Sequence, residues 1–152
     1  MKKLLFGVII VIACLGLYGH KARREEPPKQ SDVQILCSET MTAQENGDTQ
    51  KANEGISELI GISKDSMYSA DERNMAKYIA IYTNANMYLD YIKQYDSAWI
   101  SQYDVSSLTA IHKTIAPQVI SGAINSDDLA YYIDTLIQCS KPLHDRYQQL
   151  KN

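Results

Sequence analysis

Residues 69–95 read SADERNMAKYIAIYTNANMYLDYIKQY. The opening Ser69-Ala70-Asp71-Glu72 is a capping-box pattern: the serine hydroxyl accepts the backbone N–H three residues on, and the glutamate reaches back to the serine N–H. Behind it, Met75, Ile79, Tyr82, Asn86, Leu89 and Ile92 recur at spacings of three and four, which is one face of a helix. Neither Gly nor Pro occurs between Gly61 and Pro117. The pattern predicts a long helix from Ser69 to about Tyr95, reaching toward Trp99. Its apolar stripe needs other helices to cover it.

The flanking sequence supplies them. Ser31 or Asp32 caps a first helix carrying Val33, Leu36, Cys37, Thr40 and Met41, and Gly47-Asp48 breaks it. A second helix is expected from Thr49 to Ile60 with Ala52, Ile56, Leu59 and Ile60 on one face, Gly61 standing as its stop. Within it, Gly55 weakens the helix by about 1 kcal/mol relative to Ala. Beyond the long helix, Leu108, Ile111, His112 and Ile115 share a side of a further helix that Pro117 interrupts, and Val119, Ile120 and Ile124 continue as a short turn. Asn125-Ser126-Asp127-Asp128 starts the last helix, with Ser126 as cap and two aspartates at the positive end of the dipole. Leu129, Ile133, Leu136, Ile137 and Ser140 share its face, and Pro142 is expected to kink or restart it. The fold class is all-α: a compact bundle of about five helices over residues 32–152.

The first thirty residues are of another kind. Lys2 and Lys3 precede sixteen uncharged residues, LLFGVIIVIACLGLYG, from Leu4 to Gly19. A positive start followed by an apolar run directs export. Residues 1–19 are therefore read as a signal peptide or N-terminal membrane anchor. Three fates are open: retention in the inner membrane through residues 4–19, cleavage after Gly16, or lipidation at Cys14, where Val11-Ile12-Ala13-Cys14 is like a relaxed bacterial lipobox. Residues 20–31, HKARREEPPKQS, form a solvated linker stiffened by Pro27-Pro28. The expected location is the periplasm, soluble or anchored to the inner membrane on that side.

Charge follows the same division. The 152-residue chain carries a formal −3, but residues 1–30 hold +4 and residues 31–152 hold −7. An acidic domain excludes a typical nucleic-acid binder, which needs a basic surface. The acidic balance has two readings: it keeps the domain soluble, or it steers a basic partner to it electrostatically, with Asp90, Asp96, Asp104, Asp127 and Asp128 as the carboxylates to consider.

Cys14 lies in the export segment, leaving Cys37 and Cys139 in the domain. A lone pair in an oxidising compartment is expected to form a disulfide. Closing a loop of about a hundred residues would contribute roughly 4–5 kcal/mol in the chain-entropy picture and place the first and last helices side by side. No zinc-ligand spacing, phosphate-binding glycine loop, GxSxG or HExxH occurs, so neither cofactor, metal nor catalytic residues are assigned and the domain is read as non-enzymatic. His112 is expected in the core and His144 at the surface.

Tyrosine is the compositional anomaly, with 11 Tyr against one Phe and one Trp. Tyr78 and Tyr82 occupy a different helical sector from Tyr88, Tyr91 and Tyr95, so they cannot all point inward. One reading is that Tyr replaces Phe in a small core with each hydroxyl reaching the surface; the other is a binding face, because Tyr and Trp are enriched at interaction hot spots. Tyr88, Tyr91, Tyr95, Trp99 and Tyr103 are therefore the candidate partner-binding residues.

The MKKLLFGVII start, the short acidic domain and the Cys37/Cys139 pair resemble the layout of small accessory proteins encoded alongside type IV pilus components, of the toxin-coregulated pilus kind. That resemblance implies a virulence-associated role in assembling a pilus or secretion machine through contacts with envelope proteins. A second expectation is a periplasmic immunity or inhibitor protein that neutralises a toxin or cell-wall hydrolase.

Overall fold

The computed structural model describes residues 30–152. The export or anchor segment, Cys14 and nearly all of the linker lie outside these residues. Every regular element described is helical: α1 (Asp32–Glu45), α2 (Thr49–Lys64), α3 (Ala70–Tyr95), the short α4 (Ser97–Ile100), α5 (Lys113–Ile120) and α6 (Ser126–Lys151). A π-helical turn, Ser107–His112, runs directly into α5. No described helix is long and apolar enough to cross a membrane.

The helix starts follow local chemistry. The Ser69–Glu72 capping box forms as expected. A second one closes α1, where Ser31 accepts from the Gln34 N–H and the Gln34 side chain accepts from the Ser31 N–H. Asp48 caps α2 by accepting from the Lys51 N–H at 3.1 Å. At the last helix the cap is Asn125, accepting from the Asp128 N–H at 2.9 Å. Ser126 instead donates to Asp71 at the head of α3. Gly47 (φ +75°) and Gly122 (φ +71°) follow α1 and α5 in the left-handed conformation. That geometry lets Asp48 N–H reach Ala43 O, and Ala123 N–H reach Gln118 O, which closes each helix end.

Helix α3 is the hub, packing against α1, α2, α5 and α6. It buries Met75, Ala76, Tyr78, Ile79, Ala80, Tyr82, Thr83, Ala85, Leu89 and Ile92. Each large apolar side chain fully buried there contributes about 1.5–3 kcal/mol. The Ser126–Asp71 bond joins the heads of α6 and α3, while Arg146–Asp96 joins their far ends. The two long helices therefore run side by side in the same direction, and residues 96–125 are the return path between them.

Several expectations are corrected. Gly61 does not stop α2, which continues to Lys64. Gly61 sits in open space with no positive φ, so it costs propensity without forcing a turn. Pro117 lies inside α5 and Pro142 inside α6 without ending either helix. At Pro142 the carbonyl that loses its donor belongs to exposed Gln138, where water can replace the bond, and Leu143 beside it is fully buried. Ile60, Ile111 and Ile137 are exposed although each falls on an apolar stripe. The rest of each stripe reaches the core and these residues lie at its margin.

The Cys37–Cys139 disulfide is not formed: both thiols are free. Cys37 is on α1, which packs on α2, α3 and α5. Cys139 is on α6, which packs on α3 and the π-helical turn. The first and last helices are not among the pairs that pack extensively, so the close neighbours expected from the cysteine count are not formed.

Candidate functional site

The five aromatic residues singled out by sequence fall into two groups. Tyr88, Tyr91 and Tyr95 stand at helical spacings of three and four on α3 and share a face. Tyr147 of α6 joins them, its ring 4.5 Å from that of Tyr88 and 5.0 Å from that of Tyr91. Tyr91 and Tyr95 rings lie 4.4 Å apart. Tyr95 is 60 % exposed, and the others are half-buried. Such a tyrosine keeps its apolar body against the protein and its hydroxyl in water.

Tyr88, Tyr91 and Tyr147 form one wall of a groove of about 570 Å³ between the α1–α2 corner, α3 and the end of α6, and Tyr95 lies outside its lining. The opposite wall brings Gln44, Gly47, Thr49, Ala52 and Asn53; Asn84, Met87, Asp90 and Gln94 complete it from α3. Gln44 donates to Asp90 Oδ2 at 3.0 Å, and Asn84 donates to the Tyr88 hydroxyl at 2.9 Å. The Lys151 ammonium lies 5.3 Å from the Tyr91 ring centre and 5.7 Å from that of Tyr147. Both distances are within cation–π reach.

Trp99 and Tyr103 belong elsewhere. Their rings stack at 4.8 Å and pack against the core. The Tyr103 hydroxyl donates to the Cys139 carbonyl on α6. Burial raises the Tyr103 pKa, with nearby Cys139 and Asp104 adding to the effect. Tyr103 therefore holds the return path to α6, a positioning task rather than a docking one. Tyr147 and Lys151 were missed because nothing in α6 alone indicates that its last turns meet the middle of α3.

Of the five aspartates, Asp96 is used internally. It caps α4 by accepting from the Trp99 N–H and pairs with Arg146 through the guanidinium. The Arg146 hydrogen bond holds its carboxyl below the usual range. Asp104 accepts from Ser106, which likewise lowers its pKa. Asp128 accepts from the side-chain amide of Asn125, the cap of α6, and donates its own N–H to the Asn125 side-chain oxygen. Asp127 remains exposed. Asp90, at the groove, is also 3.5 Å from Lys93.

His112 is in the core as expected, fully buried at the end of the π-helical turn. Its Nδ1 lies 2.8 Å from the Tyr78 hydroxyl, while its Nε2 has no partner among the described residues. Burial lowers the His112 pKa and raises that of Tyr78, so both are held neutral. Burial also raises the Cys37 pKa to about 12, which suppresses the reactive thiolate. His144 is exposed, its ring edge-on to Tyr88 at 5.5 Å.

No protein-family model matches the chain, and neither a curated protein nor a solved structure matches it.

Proposed function

We propose that this chain is a non-enzymatic protein of the bacterial envelope that assists assembly of a type IV pilus or secretion machine through protein–protein contacts. The observation that carries this reading is the gathering of Tyr88, Tyr91 and Tyr147 at one open groove, with Tyr95 packed against Tyr91 beside it. Clustered tyrosines give a large contact area at a low cost in side-chain ordering, which suits a surface that recognises another protein. The lysine-led apolar start supports a periplasmic location, and the acidic domain suits a basic partner. That same charge also favours the second reading, an immunity or inhibitor protein directed at a basic toxin or wall hydrolase.

Affinity capture from envelope extract tests the proposal. The wild-type chain is expected to retain a pilus or secretion component, and the Tyr91→Ala/Tyr95→Ala double variant to lose it. Capture of a toxin or hydrolase alone would transfer support to the second reading. Capture that is unchanged in the double variant would remove the tyrosine face from the account.

A further inference from the structure

The position of Lys151 says what kind of group the tyrosine groove accepts. Its ammonium rests over the rings of both Tyr91 and Tyr147, in a groove that also presents the Asp90 carboxylate. Aromatic faces attract ammonium groups through the ring quadrupole, and several rings around one point are the usual means of holding such a cation. Tyr88 lines the same groove beside these two rings, its own ring 4.5 Å from that of Tyr147. At about 570 Å³ the groove is large enough for more than the one lysine tip that now lies in it.

We infer that this groove is an aromatic cation site that receives a lysine side chain from a basic protein partner, with Lys151 as the intramolecular occupant that the partner's lysine displaces. This deepens the protein-binding reading above and rests on it. The charge of the domain argues for a protein lysine. Nine basic residues face sixteen acidic ones over residues 31–152, so a basic segment is drawn to this domain as a whole as well as to the groove. Lys151 is exposed, so leaving the rings returns its ammonium to water without breaking core packing.

The test is a chemical-shift titration of the full chain with a short lysine-rich peptide, its Nε-acetylated copy and phosphatidylcholine vesicles. The lysine peptide is expected to shift the amides of Tyr88, Tyr91, Tyr147 and Lys151, and the acetylated copy to leave them in place. Lys151→Gln vacates the rings and is expected to bind the peptide about two- to fivefold more tightly, the size of an exposed cation–π contact. Adding Tyr91→Leu to that variant is expected to reverse the gain. Equal binding of the acetylated peptide, unchanged affinity in Lys151→Gln, or shifts produced by the vesicles alone would each overturn the inference. If affinity capture still depends on Tyr91 and Tyr95 while the lysine peptide fails, the cation site falls and the protein-binding reading stands. If the peptide behaves as expected while capture is unaffected, the groove holds a lysine side chain but not that of the captured partner, and the protein-partner part of the inference falls with the reading it rests on.

Discussion

Gly55→Ala sets helix propensity directly against packing. In the middle of an isolated helix the change would stabilise by about 1 kcal/mol, because Ala loses less backbone entropy than Gly. In the folded domain a Cβ at position 55 would lie 2.1 Å from Thr40 Oγ1, 2.9 Å from Thr40 Cγ2 and 3.0 Å from Thr40 Cβ. Rotating Thr40 does not help, since both of its branches are in contact and its Cβ cannot rotate away. Its hydroxyl is also bonded to the Leu36 carbonyl at 2.7 Å. The backbones of α1 and α2 must therefore separate. Overpacking of a close-packed site costs typically about 1–3 kcal/mol, and this overlap belongs at the upper end. Subtracting the propensity gain leaves a net loss of about 2 kcal/mol. For a domain of this size that lowers the melting temperature by roughly 6–10 °C.

The assay is urea unfolding followed by circular dichroism, for Gly55→Ala, Thr40→Ala and the pair. Removing the threonine branches leaves only a Cβ–Cβ approach at 3.0 Å, which a shift of a few tenths of an ångström relieves. The double variant is therefore expected to be more stable than the sum of the single changes by at least about 1 kcal/mol, as contacting sites couple. A Gly55→Ala chain more stable than wild type, or additive effects, would refute the close approach of α1 and α2 at this point.

Other predictions concern titratable groups and thiols. The folded state resists protonation of His112, so the unfolded chain binds the extra proton below its ordinary value of about 6.5, and stability is lost as pH falls through that region, by at most about 1.4 kcal/mol per pH unit. Unfolding measured from pH 7 to 5 should show this slope, and His112→Gln should flatten it; an unchanged slope would mean that another group carries it. Arg146→Gln should raise the Asp96 carboxyl toward the ordinary aspartate range, read by its carboxyl-carbon shift against pH, because Arg146 is the main cause of its depression. An unmoved titration would exclude the α3–α6 link. In denatured, unreduced protein Cys37 and Cys139 should both alkylate, and in folded protein Cys37 should react the more slowly because it is fully buried and its pKa is about 12. Recovery of a Cys37–Cys139 linked peptide would contradict the free thiols.

The sequence by itself determined what depends on neighbours along the chain. Helix class, the capping box at Ser69–Glu72, the break at Gly47 and the apolar stripe of α3 are all set within a turn or two of backbone. The inward sector of Tyr78 and Tyr82 and the shared face of Tyr88, Tyr91 and Tyr95 follow from the same 3.6-residue period. Local signals also misled where packing had the stronger hold. Pro142 interrupts one hydrogen bond, yet Leu136 and Leu143 on either side are buried and keep α6 whole. Only the tertiary structure decided which distant residues meet. The parallel course of α3 and α6 brings Tyr147 and Lys151 to Tyr88 and Tyr91, and separates Tyr103 into a packing role. The close passage of α1 by α2 reverses the meaning of Gly55. The physical reason is that helical periodicity fixes which face a residue occupies, whereas the neighbour that this face meets is set by the packing of whole helices.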